Sequence, residues 1–294
     1  MNKREYTWDV ALLILNYNSY QLTIDLVDDL LTQVTDLRIL YLIVDNNSQN
    51  QSYDELSNRF KNNSNVIVVQ SGNNGGYAKG NNYGLRLLEK YIIEYVVIIN
   101  NDVKFNINIL KKCINVDKSV PDAGMISPVQ YLPTGEIAPT RSLKIHSFKD
   151  DVKQYLGSEI ILPKIKYKSN CEYPNLMRVG IIPGSFIFTK FSKIREVNYF
   201  DEDTFLFCEE HFISRKYREH GWHNYIIIDD SYIHEHSKTI KSVHSIKKQF
   251  KLLLDSQKKY ANKYYRCPKI QVPILTVLNT LYANLLCLVK KIRS

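Results

Sequence analysis

Tyr95-Val96-Val97-Ile98-Ile99-Asn100-Asn101-Asp102 is an apolar run of five residues that stops on two amides and a carboxylate. A short continuous apolar run bounded by turn formers is the pattern of a strand buried on both faces. Working outward, the same pattern recurs three times upstream. Val10–Leu15 stops on Asn16-Tyr17-Asn18-Ser19, Ile39–Val44 on Asp45-Asn46-Asn47-Ser48, and Val66–Val69 on Gln70–Gly76. The segments between have room for helices. Gln21–Leu31 places Leu22, Leu26, Val27, Leu30 and Leu31 on one stripe, with Ser19 as its expected cap, and Tyr77–Tyr91 reads as another helix. Strands alternating with helices predict a parallel sheet covered by helices, and the polar clusters then gather at the C-terminal edge, where open α/β sheets bind ligands.

Each cluster has a plainer reading beside the functional one. Asn16 and Asn18 either turn the chain or face a ligand, and Asp45 either caps the next helix or binds. Gly72, Gly75 and Gly76 do not form GxGxxG, and no Walker-type lysine comes after them, which argues against a dinucleotide or ATP site. Lys79, Asn81 and Asn82 stand just inside the following helix, where an N-terminus receives phosphate. Asp102 has the most definite chemistry. A diphosphate leaves readily only when its charge is neutralised, and Mg2+ or Mn2+ takes carboxylate ligands for that purpose.

Taken together, Ile14-Leu15-Asn16-Tyr17-Asn18, Ile43-Val44-Asp45-Asn46-Asn47-Ser48, Asn73 to Gly84 and Ile98-Ile99-Asn100-Asn101-Asp102 resemble a family 2 glycosyltransferase of the bacterial rhamnosyltransferase-like group. The resemblance covers roughly residues 8–240. It implies the GT-A fold, a mostly parallel Rossmann-like sheet flanked by helices, here with a C-terminal helical extension. It also implies a UDP- or dTDP-sugar donor. Asn16–Tyr17 would lie along the nucleotide base, Asp45 would accept from the pyrimidine or its ribose region, and the Gly75–Asn82 stretch, with Gly75, Gly76, Lys79 and Asn81, would shape the nucleotide-sugar pocket; Asn18, Asn47 and Asn101 are further donor-binding candidates. Asn100-x-Asp102 would stand for the family's Asp-x-Asp metal motif, with Asn100 replacing its first Asp, so that Asp102 carries the metal.

Downstream, Pro121–Asp122 opens a turn, Ala123–Pro128 reads as an edge strand and Pro133-Thr134-Gly135 as a hairpin turn. Lys144–Tyr173 has no clean period and reads as a variable insertion, a lid or acceptor loop. Arg141 is solvated or phosphate-facing. Gly180–Phe188 reads as a turn and an alternating strand, with Gly184–Ser185 bringing backbone close to the donor sugar. Glu209-Glu210-His211 comes after an aromatic run. The two carboxylates either favour the start of a helix or supply a general base. The resemblance assigns the base to the second acid of such a pair, hence Glu210, with Glu209 as the alternative. Arg215, Lys216 and Arg218 share the helix, and Gly221 is its expected C-cap. Tyr225–Ile228, closing on Asp229–Asp230, is a last short strand. After it the resemblance places a metal- or diphosphate-contacting histidine, assigned to His234, with His236 as alternate and Ser237 near a phosphate.

The chain has 294 residues, 44% apolar and 23% charged, with 21 Tyr, ordinary for a soluble globular protein apart from its tyrosines. Its +9 net charge favours anionic partners, but no nucleic-acid-binding module is visible. The five scattered cysteines lack a CxxC and are expected to be reduced thiols in the cytoplasm. Met1–Asp9 is too polar for a signal peptide. The expected organisation is a catalytic domain over residues 1–241, with a nucleotide-binding half at about 8–105 and an acceptor-side half at about 106–241, then a basic amphipathic extension over 242–294. In the extension Phe250–Tyr265 is helical, Pro268 and Pro273 are expected breaks, and Leu275, Leu278, Tyr282, Leu285 and Val289 form a seam. That seam packs on the catalytic domain, pairs a homodimer or lies on the inner face of a membrane. The expected reaction is inverting transfer to a cell-surface glycan, on a polyprenyl diphosphate in one version. A nucleotidyltransferase-like enzyme and a non-catalytic glycan-binding module are the rival readings.

Overall fold

The computed structural model describes residues 7–138, 143–156, 166–235 and 246–293. Arg141, His236, Ser237 and the expected domain boundary at 241 fall outside them. The strands are β1 Trp8–Asn16, β2 Ile39–Asp45, β3 Val66–Gln70, β4 Ile93–Asn100, β5 Val103–Lys104, β6 Ala123–Tyr131, β7 Leu176–Val179, β8 Phe186–Lys190 and β9 His223–His234. The helices are α1 Tyr20–Thr32, α2 Ser52–Phe60, α3 Gly76–Leu88, α4 Ile109–Ser119, α5 Phe148–Tyr155, α6 Phe191–Glu196, α7 Glu209–Glu219, α8 Ile246–Tyr264 and α9 Pro268–Arg293.

The nine strands among the described residues form one mixed sheet in the order β3-β2-β1-β4-β8-β6-β9-β5, with β7 also paired to β9. The β3-β2-β1-β4 half is parallel, β8 runs antiparallel to β4 and β6, and β6 and β9 are parallel. Parallel strands alternate their side chains between two covered faces, so every residue of the central run is apolar. Val10, Leu12, Ile14, Tyr95, Val97 and Ile99 join the core shared with α1, α2 and α4. Ala11, Leu13, Val96 and Ile98 join the opposite core, with residues of α3, α6 and α7. The register aligns the strand ends: Asn16 lies opposite Asp45, Asp45 opposite Gln70, and Asn100 opposite Leu15.

Several expectations are corrected. Ser19 occupies the N-cap position of α1 but makes no side-chain cap; its hydroxyl donates to Tyr17 O at 3.1 Å instead. Ala123–Pro128 belongs not to an edge strand but to β6, which lies between β8 and β9. The strand after Gly184 does not alternate, because β8 is covered on both faces. β9 does not end at Asp229–Asp230. A register shift opposite Pro128/Val129 carries it past both acids to His234. Part of the supposed insertion is a helix, α5, opened by a Ser147/Asp150 capping box. Pro273 does not break the tail; it sits inside α9, near its start, where the absent N–H costs a single bond. The hairpin turn at Gly135 (φ 79°) and the C-terminal glycine of α7 at Gly221 (φ 79°) are as expected.

Candidate active site

The strand ends carry a continuous polar network. Asp45 is fully buried. Its carboxylate accepts from Asn16 Nδ2 at 2.8 Å, Ser48 N at 2.9 Å and Ser48 Oγ at 2.6 Å. Asn16 Oδ1 in turn accepts from Thr23 Oγ1 at 2.9 Å. Asn101 is turned into the same network, donating to Ser19 Oγ at 2.8 Å and Thr23 Oγ1 at 2.9 Å. Asn16, Asp45 and Asn101 therefore brace the turns. Tyr17, Asn18 and Asn47 stand partly exposed on those turns, and Asn18 and Asn47 take left-handed conformations (φ 54° and 57°) that Asn tolerates.

The glycine-rich turn locks α3 against the segment preceding α7. Gly76 has φ +84°, and a Cβ there would come within 2.0 Å of Phe205 O, which accepts from Tyr77 N at 2.9 Å. Gly75 is the N-cap of α3, and Lys79 is exposed in its first turn. Asn81 is fully buried on the sheet-facing side of α3, donating to Tyr77 O at 3.0 Å. Asn82 clasps the backbone of Phe200 through both of its amide atoms.

The sheet edge opens into a cavity of about 470 Å³. It is lined by Asn100 and His234, from the ends of β4 and β9, and by Gln130 from β6. Glu209 and Glu210 at the start of α7 line it too, as do Gly184 and Ser185. β5 pairs with β9, putting Val103 opposite His234 and bringing Asp102 beside the ring. Asp102 Oδ1 is 3.0 Å from His234 Nε2, and both side chains are buried. Asn100 Nδ2 lies 3.4 Å from the same nitrogen. At the far nitrogen, Nδ1, stands Gln130 Nε2 at 3.0 Å, and the Gln130 oxygen accepts from Tyr232 OH at 3.2 Å. Ser185 Oγ completes the chain, 2.7 Å from Tyr232 OH.

This donor set fits a divalent cation. Two adjacent ligands of an octahedral ion with bonds of about 2.1 Å lie roughly 3 Å apart, the spacing of the Asp102 and His234 atoms. A ligating imidazole carries its proton on the far nitrogen and needs an acceptor there, which the Gln130 amide supplies when turned end for end from its placement here, its nitrogen then facing Tyr232 OH. Among the described residues no cluster of three or more His, Cys, Asp or Glu forms, so the remaining positions would fall to Asn100, diphosphate oxygens and water.

The backbone leading into the two carboxylates is strained. Phe207 and Cys208 both take left-handed backbone conformations (φ 74° and 67°) immediately before Glu209, a costly pair for bulky residues that surrounding contacts must hold. Glu209 is buried, and its Oε1 has no hydrogen-bond partner. Burial first, and the Glu210 charge second, push its carboxyl up to about 8. Glu210 is half-buried; burial raises its carboxyl too, against the pull of hydrogen bonding from the Gly184 backbone. A Cβ at 184 would lie 2.5 Å from Glu210 Oε1, so a larger residue there would displace the Glu210 side chain. Tyr77 OH donates to Gly184 O at 2.7 Å, fixing this contact from below. Ser185 O accepts from Asn100 N at 3.1 Å, so Glu210 and the Asn100–Asp102 turn are joined through two residues of backbone.

A further wall comes from α5 and α8, through Asp151, Gln154, Leu253, Gln257 and Tyr260. α8 docks on α7 by ring contacts of Tyr260 with Phe212 at 5.1 Å and with His211 at 5.8 Å. Burial holds the His211 imidazole down to about 3, with the neighbouring His146 and Arg215 adding to the effect. His211 is therefore a neutral wall of the cavity.

Among the sequence-predicted residues, Asn100, His234, Glu209 and Glu210 line the cavity, and Asp102 joins them through His234. Tyr17, Asn18, Asn47 and Lys79 lie at the same sheet edge outside this cavity's lining. Gln130 and the contribution of α8 to the wall went unrecognised in the sequence; α5 falls in the Lys144–Tyr173 stretch expected as a lid or acceptor loop, and Tyr77 lies in the Asn73–Gly84 motif without having been singled out. For Tyr77 the signal was its place directly after Gly75-Gly76; for Gln130 and α8 there was none.

The family described as "Glycosyl transferase family 2" matches residues 11–176, more than half the chain. A low-salt glycan biosynthesis hexosyltransferase of Haloferax volcanii is 24% identical over 69% of this chain and 59% of its own length. An N-acetylglucosaminyl-diphospho-decaprenol L-rhamnosyltransferase of Mycobacterium tuberculosis is 22% identical over 65% of each. The chain thus spans about three fifths of the length of these curated relatives. A mannosyltransferase of Pyrobaculum calidifontis, solved with GDP-Man and Mn2+, superposes with a TM-score of 0.59 at 14% identity, covering 95% of this chain and 77% of that one. The fold is thus the GT-A arrangement of solved glycosyltransferases.

Proposed function

The chain belongs to glycosyl transferase family 2, and from that premise we propose that it transfers a hexose or deoxyhexose, with inversion, from a UDP- or dTDP-sugar to a hydroxyl of a cell-surface glycan. The observation that carries this reading is that His234, paired with Asp102, and the Glu209–Glu210 pair meet at one cavity, linked through Gly184, Ser185 and Asn100. The nucleotide base would sit on the turns carrying Tyr17, Asn18 and Asn47, with Asn16 and Asp45 holding those turns in shape. Lys79 stands at the rim, where it can meet phosphate. Asp102, His234 and Asn100 would hold Mg2+ or Mn2+. When bound, that ion neutralises charge developing on the diphosphate leaving group.

The chain's own residues supply the remainder. Glu210 accepts the proton of the acceptor hydroxyl as its oxygen bonds to the anomeric carbon and the bond from that carbon to the diphosphate breaks. Gly184 and Tyr77 hold the Glu210 carboxylate in place. Glu209, buried and holding its proton at neutral pH, leaves Glu210 as the ionised member of the pair. The α5/α8 wall gives the acceptor side amide and aromatic groups suited to sugar recognition. An acceptor on a polyprenyl diphosphate, as the mycobacterial relative's name states for that protein, fits the same placement.

The test is a panel of UDP-, dTDP- and GDP-sugars incubated without acceptor, with Mn2+, Mg2+ or chelator. The expected result is slow, metal-dependent release of nucleoside diphosphate from a pyrimidine-linked sugar. Release of pyrophosphate from a nucleoside triphosphate would replace this reading with a nucleotidyltransferase. Turnover of neither, with glycan bound, would leave a binding module.

A further inference from the structure

We propose that α9 docks this protein on an anionic lipid surface, lying in the plane of the membrane with its free apolar face in the interface. Ile270, Ile274, Val277, Leu281, Leu285 and Leu288 are between 41% and 65% exposed. At 100° per residue these six positions fall within an arc of about 80° and run for roughly 27 Å along the axis. The opposite face is occupied. Leu275 packs fully buried with Tyr155 of α5 and Leu254 of α8, and Tyr282 and Leu278 pack around them. Asn279 is buried there too, donating to Tyr155 OH at 2.9 Å and Phe250 O at 3.2 Å. Contrary to the seam expected from sequence, Leu285 stands on the exposed stripe.

Charge decides among the possible occupants. Eleven of the 39 Lys and Arg residues lie in 246–294, with Asp255 as the single acid there, so this segment carries +10. The remaining residues, 28 basic against 29 acidic, carry −1. A second copy would bring another +10 segment against the first, with no acidic residues beside the stripe to pair across the seam. Anionic headgroups match both the stripe and its basic surroundings: Arg266 and Lys269 precede it, and Lys290, Lys291 and Arg293 come after it in sequence. Pro268–Leu288 is long and apolar enough to cross a bilayer. A crossing helix, however, would have to leave α5 and α8, stranding Asn279 in hydrocarbon and uncovering Tyr155 and Leu254. Because α5 and α8 also wall the cavity, docking would set the candidate active site one helical layer from the lipid surface.

Lipid docking through α9 does not depend on the proposed reaction and is measured by vesicle binding alone. The full chain is sedimented with vesicles of phosphatidylglycerol and phosphatidylcholine in equal parts, and with pure phosphatidylcholine. Wild type is expected on the anionic vesicles, released by high salt. The double variant Val277→Glu/Leu281→Glu, which leaves the buried face of α9 intact, should bind at least about tenfold more weakly while keeping the wild-type circular dichroism spectrum. Lys290→Gln/Lys291→Gln should lose the preference for anionic over neutral lipid. Equal sedimentation of wild type and both variants would overturn the proposal. So would light scattering showing a wild-type dimer that the Glu variant splits, which makes the occupant a second copy. Retention that only detergent releases would make α9 a span.

Discussion

At the scale of single residues, the two glutamates differ by environment rather than by chemistry. Both line the cavity from one helix start, yet Glu209 is buried with an unpartnered oxygen and Glu210 is only half-buried. Glu210→Gln should lower kcat by about a hundredfold or more with the donor KM little changed, read by steady-state kinetics at saturating acceptor. If Glu209→Gln did this and Glu210→Gln did not, the assignment would be reversed. Glu209 also has a stability signature. Its folded pKa is raised from 4.5 to about 8, so over that window the native state holds a proton that the unfolded state has lost. Stability must then fall as pH rises from about 4.5 to about 8, by up to about 1.4 kcal/mol per pH unit. Glu209→Gln should flatten that slope in thermal melts across this range; an unchanged slope would mean the carboxyl is not desolvated as the structure has it.

At the scale of elements, the site depends on how α3, the segment before α7, and the ends of β4 and β9 are clasped. Gly76→Ala puts a Cβ against the Phe205 carbonyl at a backbone angle alanine resists. It should cost at least about 2 kcal/mol and lower Tm by roughly 5 °C or more, measured by calorimetry. The elements that sequence exposed were those buried on both faces. β1, β2 and β4 are uninterrupted apolar runs because helices cover them above and below, and their polar ends marked the binding edge. β6 and β9 were misread because Pro128, Asp229 and Asp230 imitate turns where a register shift keeps the strand going. α5 was missed because its apolar face is narrow and complete only when α8 and α9 pack on it. Site residues divided in the same way. Asp102, His234 and Glu210 were candidates because each stands at or beside the end of an element next to a resembling motif. Gln130 could not, since its place beside His234 comes from the pairing of β6 with β9, which no local pattern encodes.

At the scale of the whole molecule, one cavity collects the ends of β4, β6 and β9 and the start of α7, with α5 and α8 adding to its lining. Within the tail, α8 lines the site and α9, packed on α5 and α8, carries the exposed apolar stripe on which the lipid-docking proposal rests. The claim on which the rest turns is that the Asp102–His234 corner holds the cation and diphosphate of the donor. Crystals grown with Mn2+ and a pyrimidine nucleoside diphosphate, with data collected at the manganese edge, test it directly. An anomalous peak bonded to the Asp102 carboxylate and His234 Nε2, with diphosphate oxygens completing the shell, is the expected result. Nucleotide bound in the cleft with the manganese elsewhere, and Asp102 still hydrogen-bonded to His234, would contradict it.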